Sequence, residues 1–479
     1  MKTSFRLLLL FLFTQTLYSC ATKSNKETSK KSPNIVIILA DDMGFGDPGS
    51  FNPDSKIPTP NIDKLASQGM SFLDAHSAGA WCVPSRYGLM TGQYPLRKPM
   101  DVKNGALIDR DQLTLASLLK RNGYATAMVG KWHLGFEGVS DWKDVDYQKT
   151  LDGGPFDRGF DYYFGMHASL DIPPYFYIEN NKAVSAPTED IADNQSPDAT
   201  STISGAFWRG GKIAPGLKHA DVLPTFTNKA LSFIEKEAAS KSNKPFFLYF
   251  ALTAPHTPWV ADQNFAGKSE VGEYGDFTMQ VDHTVGQIMD ALTKLGLDEN
   301  TLVIFTSDNG PVWFKEDIAK YNHRATDKYR GMKIDFYEGA HRIPFIARWP
   351  GKIKAKSSSD QLMIFTDILP TVAEVVGDTL TATESRDNFS LLPVLLGQKE
   401  TNNRSGLIIE GRVVREGDWK LIFGNGTGHL QTKYGNVEAP PMEGELYNLK
   451  NDPSETTNLY TKNPEKVAEL KKRMEEYKQ

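Results

Sequence analysis

The chain has 479 residues, a formal net charge of −5 and a pI of about 6.0, with 40% apolar and 24% charged residues. That length accommodates a large domain plus a smaller one, and the composition is that of an ordinary globular protein. No basic excess exists for a nucleic-acid partner, whereas an anionic substrate stays open, because basic groups can gather in one pocket of an acidic protein.

Lys2 and Arg6 precede an unbroken apolar run over 7–13, too short to cross a bilayer. The pattern predicts a signal peptide over 1–19. Leu17-Tyr18-Ser19-Cys20 resembles a bacterial lipobox, which implies that Cys20 is lipidated and becomes the mature N-terminus. Residues 20–33 then read as the lipidated cysteine and a polar, lysine-rich tether. The expectation is a protein of the bacterial cell envelope, anchored by lipid to the outer membrane on its periplasmic or surface face. Simple cleavage to a periplasmic or secreted protein is the alternative. Of the two cysteines, only Cys82 is then left, so no internal disulfide forms.

Residues 34–40 (NIVIILA) are continuously apolar and β-branched, the pattern of a strand buried on both faces. Helices are predicted at 61–68, entered through Thr59-Pro60, and at 114–121, with Gly123 just past its end. A strand over 124–129 follows. Two helix–strand pairs come next, at 221–239 with 246–252 and at 277–295 with 302–306. A strand at 343–348 and a helix at 367–376 complete the first part. Strands alternating with helices predict an α/β domain with a mostly parallel sheet, placed at 34–380. Beyond it, short strands at 407–410, 419–423 and 446–449 and a helix at 464–477 predict a small α+β subdomain over 381–479.

In open α/β sheets, ligands sit outside the carboxyl ends of strands. Asp41-Asp42 follows the first strand and Asp308-Asn309 follows 302–306. Such pairs are usually solvated. Here each ends a buried strand, and together they supply hard oxygen donors suited to Ca²⁺ or Mg²⁺. Cys82 lies in AWCVPSRYGLMTGQYP; a lone cysteine before a turn is usually structural.

This segment resembles the signature of the formylglycine-dependent (type I) sulfatases, C-x-P-S-R, then a short helix and T-G, met by Cys82, Pro84, Ser85, Arg86, Thr91 and Gly92. Further motifs of that family follow in order. They are Asp41 and Asp42 in ADDMGFGD, Lys131 and His133 in GKWHLG, His256 in APHTP, Asp308 and Asn309 in SDNG, and Lys333 in RGMKIDFYEGAHRIP. The tail segments VREGDWKLI and ELYNLKNDPSETTNL are similar too, so the resemblance spans 34–460. It departs at Gly339-Ala340, where the family has Gly-Gly.

The resemblance implies an alkaline-phosphatase-like fold, a large mixed sheet between helices plus a small C-terminal antiparallel sheet. It implies one Ca²⁺ per chain, held by Asp41, Asp42, residue 82, Asp308 and Asn309. It also implies that a maturation enzyme oxidises Cys82 to formylglycine, whose gem-diol attacks sulfur. Lys131 and Lys333 would cancel charge on the sulfate oxygens, and Arg86 would stabilise the nucleophile. His256 would protonate the leaving oxygen, and His133 would take the proton that lets the hydrate collapse and expel sulfate. Ser169, in GMHASLD, resembles a serine that contacts sulfate in some arylsulfatases, and His167 beside it faces either substrate or solvent. Trp208 and Arg209 are candidates to stack on a sugar and to pair with an anionic group.

The expected substrate is a sulfated carbohydrate of ulvan, carrageenan or glycosaminoglycan type. One alternative is a phosphodiester or phosphonate monoester hydrolase of the same superfamily. Another, from a different class, is an inactive glycan-binding lipoprotein.

Overall fold

Asn34–Asp41 is a strand with every residue buried. Its side chains alternate between two apolar cores: Ile35, Ile37 and Leu39 enter one, Val36, Ile38 and Ala40 the other. A strand covered on both faces is apolar throughout, which is why this run carries no polar alternation. The computed structural model describes residues 32–242, 244–398 and 404–478. The predicted signal segment, Cys20 and nearly all of the tether lie outside the described residues.

The central strand lies inside a ten-stranded sheet. From one edge the order is Ser357–Ser359, Met70–Phe72, Phe345–Arg348, Thr301–Ser307, Asn34–Asp41, Phe246–Pro255, Ala125–Lys131, Tyr162–Met166, Ile178–Glu179 and Lys182–Ala183. The run from Thr301–Ser307 to Tyr162–Met166 is parallel. Antiparallel pairs flank it on either side. The sheet is thus mixed and mostly parallel, as expected. Helices Pro60–Ser67, Val222–Ala239 and Gly272–Lys294 cover one face through Ile62, Leu65, Phe226, Ala230, Val281 and Ile288. Helices Cys82–Thr91, Leu115–Arg121 and Ile368–Val376 cover the other through Leu89, Met90, Leu118, Leu119, Leu369 and Val372. Thr114 caps the second of these: its hydroxyl accepts from Ser117 N–H while Ser117 reaches back to the Thr114 N–H.

The helix expected from 277 begins five residues earlier, at Gly272. Gly272 and Gly275 are poor helix formers, but burial of Tyr274 between Trp259 and Trp313 overrides that preference. Four antiparallel strands, Gly406–Ile409, Val413–Glu416, Trp419–Phe423 and Gly444–Asn448, form the small C-terminal sheet in sequence order. Helix Pro464–Lys478 packs Val467, Leu470 and Met474 into the core it shares with the large sheet.

A buried ionic seam joins the small sheet to the one-turn helix Glu338–His341 and to Glu455. Lys420 Nζ lies 3.0 Å from Glu338, 2.8 Å from Glu455 and 3.2 Å from His341 Nε2. Burial pushes the Glu338 carboxyl up, but Lys420 and Arg342 outweigh it and hold the group well below the usual range. Burial pushes Glu455 up to about 7.

Candidate active site

Parallel register brings the expected residues together. Ala40 pairs with Ser307 and Asp41 with Pro255, so these strands end at one level. Asp41 and Asp42 leave the first strand, His256 the second, Asp308 and Asn309 the third, and Lys131 ends its own. Gly130, at φ +119°, sits before Lys131, where a Cβ would fall 1.7 Å from the Ala251 carbonyl oxygen. Only glycine permits that approach. Asp42 is itself left-handed (φ +65°), and its N–H donates to Asp308 Oδ1 at 3.1 Å.

Cys82 is the first residue of its helix and is buried. Its Sγ lies 3.2 Å from Lys131 Nζ, 3.3 Å from Lys333 Nζ and 3.5 Å from Asp41 Oδ1. The two ammonium groups also pair with the acids: Lys131 with Asp41 Oδ2 at 2.7 Å, Lys333 with Asp42 Oδ1 at 2.8 Å. Arg86, one turn along the helix, donates from Nε to Asp308 Oδ2 at 2.9 Å and from Nη1 to the Lys131 carbonyl at 2.8 Å. Ser85 Oγ donates to the Asp308 carbonyl.

Burial pushes the Asp41 carboxyl up, but Lys131, His256 and Arg86 together outweigh it and hold the group well below the usual carboxylate range. Burial, with Asp41 next to it, pushes Asp308 up to about 6. Burial pushes the Cys82 thiol up to about 12 despite the two lysines. At neutral pH the unmodified side chain is therefore a protonated thiol, a poor nucleophile.

The residues fit a hard cation. Asp41, Asp42, Cys82 and His256 each offer a ligand atom within 4.8 Å of the others. Asn309 donates from Nδ2 to Asp42 Oδ1 at 2.6 Å, and its own Oδ1 is buried without a hydrogen-bond partner among the described residues. A buried amide oxygen without a partner, beside three carboxylates, is an oxygen-ligand set suited to such an ion.

His256 Nδ1 donates to the Thr257 carbonyl at 2.7 Å, which leaves Nε2 facing the cluster, 3.6 Å from Asp42 Oδ2. His133, also left-handed (φ +59°), donates its backbone N–H to the His167 carbonyl, and its Nδ1 is buried without a partner among the described residues. Among the described residues its ring makes no hydrogen bond to Cys82. Burial, reinforced by Lys131 and Arg86, holds the His133 imidazole well below its ordinary value, hence neutral.

The four substrate candidates are placed differently. Ser169 is buried and its Oγ has no partner among the described residues. His167 Nε2 bonds the Pro174 carbonyl at 2.9 Å, and its ring packs on Trp142. Arg209 pairs with Asp171 at 2.6 Å, and Asp171 Oδ1 approaches His256 Nδ1 at 3.9 Å. Trp208 stacks on His219 and donates Nε1 to the Ala192 carbonyl.

Sequence reasoning missed two residues. Asp171 lies two positions past Ser169 and carried no separate signal. Glu410, at the turn after Gly406–Ile409, grips the segment before Cys82: its oxygens accept from Ala80 N–H at 2.6 Å and Trp81 Nε1–H at 2.9 Å. No local pattern links positions so distant in the chain.

The family model described as Sulfatase matches residues 33–378, and that described as N-sulphoglucosamine sulphohydrolase, C-terminal, matches 332–479. The chain is 34% identical to N-acetylgalactosamine-6-O-sulfatase of Bacteroides thetaiotaomicron, over 100% of both chains. It is 33% identical to human arylsulfatase A, over 90% of this chain and 82% of that one. A solved sulfatase structure from work on glycosaminoglycan metabolism by Bacteroides thetaiotaomicron superposes with a TM-score of 0.79 at 33% identity, covering 94% of this chain and 99% of that one. By these matches the chain belongs to the sulfatase family of the alkaline phosphatase superfamily and is a sulfatase enzyme, a hydrolase of sulfate esters.

Proposed function

We propose that the protein removes a sulfate ester from a sulfated carbohydrate of glycosaminoglycan type, with 6-sulfated N-acetylgalactosamine as the sulfated unit. The similarity to N-acetylgalactosamine-6-sulfatases over the whole or most of the chain supports this choice of sugar. The observation that carries the chemistry is the pair of lysine ammonium groups at 3.2 and 3.3 Å from Cys82 Sγ, beside the acidic cluster.

Asp41, Asp42, residue 82, Asp308 and Asn309 would hold one Ca²⁺. That cation would supply Lewis-acid polarisation of a sulfate oxygen, and the aldehyde that a maturation enzyme would make from Cys82 would, once hydrated, supply the attacking hydroxyl. The chain's own groups do the rest. Lys131 and Lys333, freed from neutralising Asp41 and Asp42, face the remaining sulfate oxygens and cancel their charge. Arg86, held by Asp308 and the Lys131 carbonyl, keeps positive charge beside residue 82. His256, with Nδ1–H fixed on Thr257, presents Nε2 to protonate the leaving sugar oxygen. His133, held neutral, accepts a proton from residue 82 on release of sulfate.

The test pairs two measurements on protein purified from its host: the mass of the peptide containing residue 82, and sulfate released from 6-sulfated N-acetylgalactosamine. Formylglycine with sulfate release is expected. Turnover of aryl phosphodiesters with no turnover of any sulfate ester would reverse the assignment of the scissile bond.

The site of action we propose is the bacterial cell envelope, with Cys20 as the lipid-bearing residue. Cys20→Ala is expected to move the protein from the membrane fraction to the soluble fraction. An unchanged distribution rejects the anchor.

A further inference from the structure

Met332, Lys333, Ile334 and Asp335 form a tight turn, closed by the Asp335 N–H on the Met332 carbonyl at 3.0 Å. Ile334, the third residue of the turn, is left-handed at φ +73°. Turns with a positive φ at that position take glycine or asparagine there, and a β-branched side chain is a steric outlier. Ile334 is only half-buried, so apolar burial offsets little of the strain.

The carboxylate of Asp335 enforces the turn. It is 1% exposed. Its Oδ2 accepts the Met332 N–H at 2.9 Å and the Gln431 Nε2–H at 3.0 Å, and its Oδ1 accepts the Gly428 N–H at 2.6 Å. No cationic side chain pairs with it among the described residues, and burial pushes its carboxyl up to about 6. Position 428 must be glycine for this approach, since a Cβ there would fall 2.5 Å from the Ile334 carbonyl oxygen. The backbone before Asp335 is tied down as well: the Lys333 N–H donates to the Pro311 carbonyl and the Ile334 N–H to the Ala80 carbonyl, each at 2.8 Å. A strained residue and a buried carboxylate without a counter-ion each cost stability, and here they follow directly on Lys333.

Such strain persists where the surroundings over-determine a geometry that is used. What this turn carries is the long Lys333 side chain, whose Nζ lies 3.3 Å from Cys82 Sγ and 2.8 Å from Asp42 Oδ1. Relaxation of Ile334 to negative φ would rotate the peptide after Lys333 and release its N–H from Ala80.

We propose that Asp335 is a positioning residue for the reaction: by forcing Ile334 into the left-handed turn, it fixes the direction from which the Lys333 ammonium meets the sulfate at residue 82. The inference rests on the reading of Lys333 as a sulfate-binding group. It also gives the C-terminal subdomain a part in the chemistry, because Gly428 and Gln431 supply donors to Asp335.

The test measures kcat on an aryl sulfate, divided by the fraction of modified residue 82. Asp335→Asn keeps the side-chain shape but removes one acceptor oxygen, and is expected to lower kcat by about tenfold to 100-fold. Adding Ile334→Gly, which enters the left-handed region without being forced, is expected to restore most of that loss. In a Lys333→Met background, Asp335→Asn is expected to cost less than about twofold more, because it acts through Lys333. Gln431→Ala removes one donor from a half-buried position. It should lower kcat in the same sense by a smaller factor, and it takes the place of Asp335→Asn if that variant does not fold. A merely structural role would lower the melting temperature and leave kcat per modified enzyme unchanged. That result, a loss that Ile334→Gly does not recover, or an equal loss in the Lys333→Met background overturns the positioning role. Retention of kcat by Lys333→Met alone instead overturns the reading of Lys333 on which it rests.

Discussion

Replacing Glu410 by glutamine probes how the C-terminal sheet holds the nucleophile in place. Both Glu410 oxygens accept, from Ala80 N–H at 2.6 Å and Trp81 Nε1–H at 2.9 Å. The Ala80 carbonyl in turn accepts the Ile334 N–H at 2.8 Å, so one carboxylate steadies both the residue-82 helix start and the segment of Lys333. Glu410 holds this position in a left-handed conformation, φ +50°. Glutamine is isosteric but offers one acceptor, so one donor loses its partner at a cost of about 1–3 kcal/mol. If the segment relaxes by about 1 Å, misalignment of residue 82 lowers the rate by up to about 100-fold. The expected result is a ten- to hundredfold fall in kcat on an aryl sulfate, with KM within about twofold of the parent. Activity is divided by the fraction of modified residue 82, measured by peptide mass, so that incomplete maturation does not mimic the effect. A normal kcat per modified enzyme, even with a lower melting temperature, would refute the positioning role and leave Glu410 purely structural.

Other consequences follow from the same contacts. Lys420→Met strands Glu338 and Glu455 in the buried seam and should destabilise the fold by about 3–5 kcal/mol in urea denaturation; a change under about 1 kcal/mol would show that the seam is not a closed network. Burial pushes His167 from its ordinary 6.5 down to about 4. The folded state thus binds that proton more weakly than the unfolded chain, so the contribution to stability is whole above about pH 6.5 and lost as pH falls through about 4, roughly 2–3 kcal/mol between pH 7 and 4.5. His167→Gln should shrink the stability difference between those two pH values by that amount, and an undiminished difference would assign the pH dependence to other groups. Chelation should lower both melting temperature and activity, with Ca²⁺ restoring both, because Asp41, Asp42 and Asp308 then share one buried space without the cation; insensitivity of the melting temperature to chelator and Ca²⁺ would argue against a resident ion. Lys333→Met should remove most of kcat and also lower the melting temperature, because it strands the buried Asp42 carboxylate that Lys333 pairs with at 2.8 Å; retention of kcat would take Lys333 out of the sulfate-binding group.

The chain alone determined a good deal of this protein. Buried strands announce themselves as apolar runs, so 34–40, 246–252 and 302–306 were legible, and with them the acids that end two of those strands. The Cys82 segment and the histidine- and lysine-bearing motifs were legible because each is local. Tertiary structure decided what local pattern cannot carry. Parallel register set Asp41, Lys131, His256 and Asp308 at one level, and a helix start placed Cys82 between two lysines remote in sequence. Short strands such as Val413–Glu416 and Tyr162–Met166 needed their neighbours to exist, since a few residues gain too little from backbone pairing by themselves. The contacts of Glu410 and of the turn that carries Lys333 are likewise products of folding. Their chemistry comes from which side chains are brought close and which are left unpaired, and that is fixed only when distant segments close around a shared core.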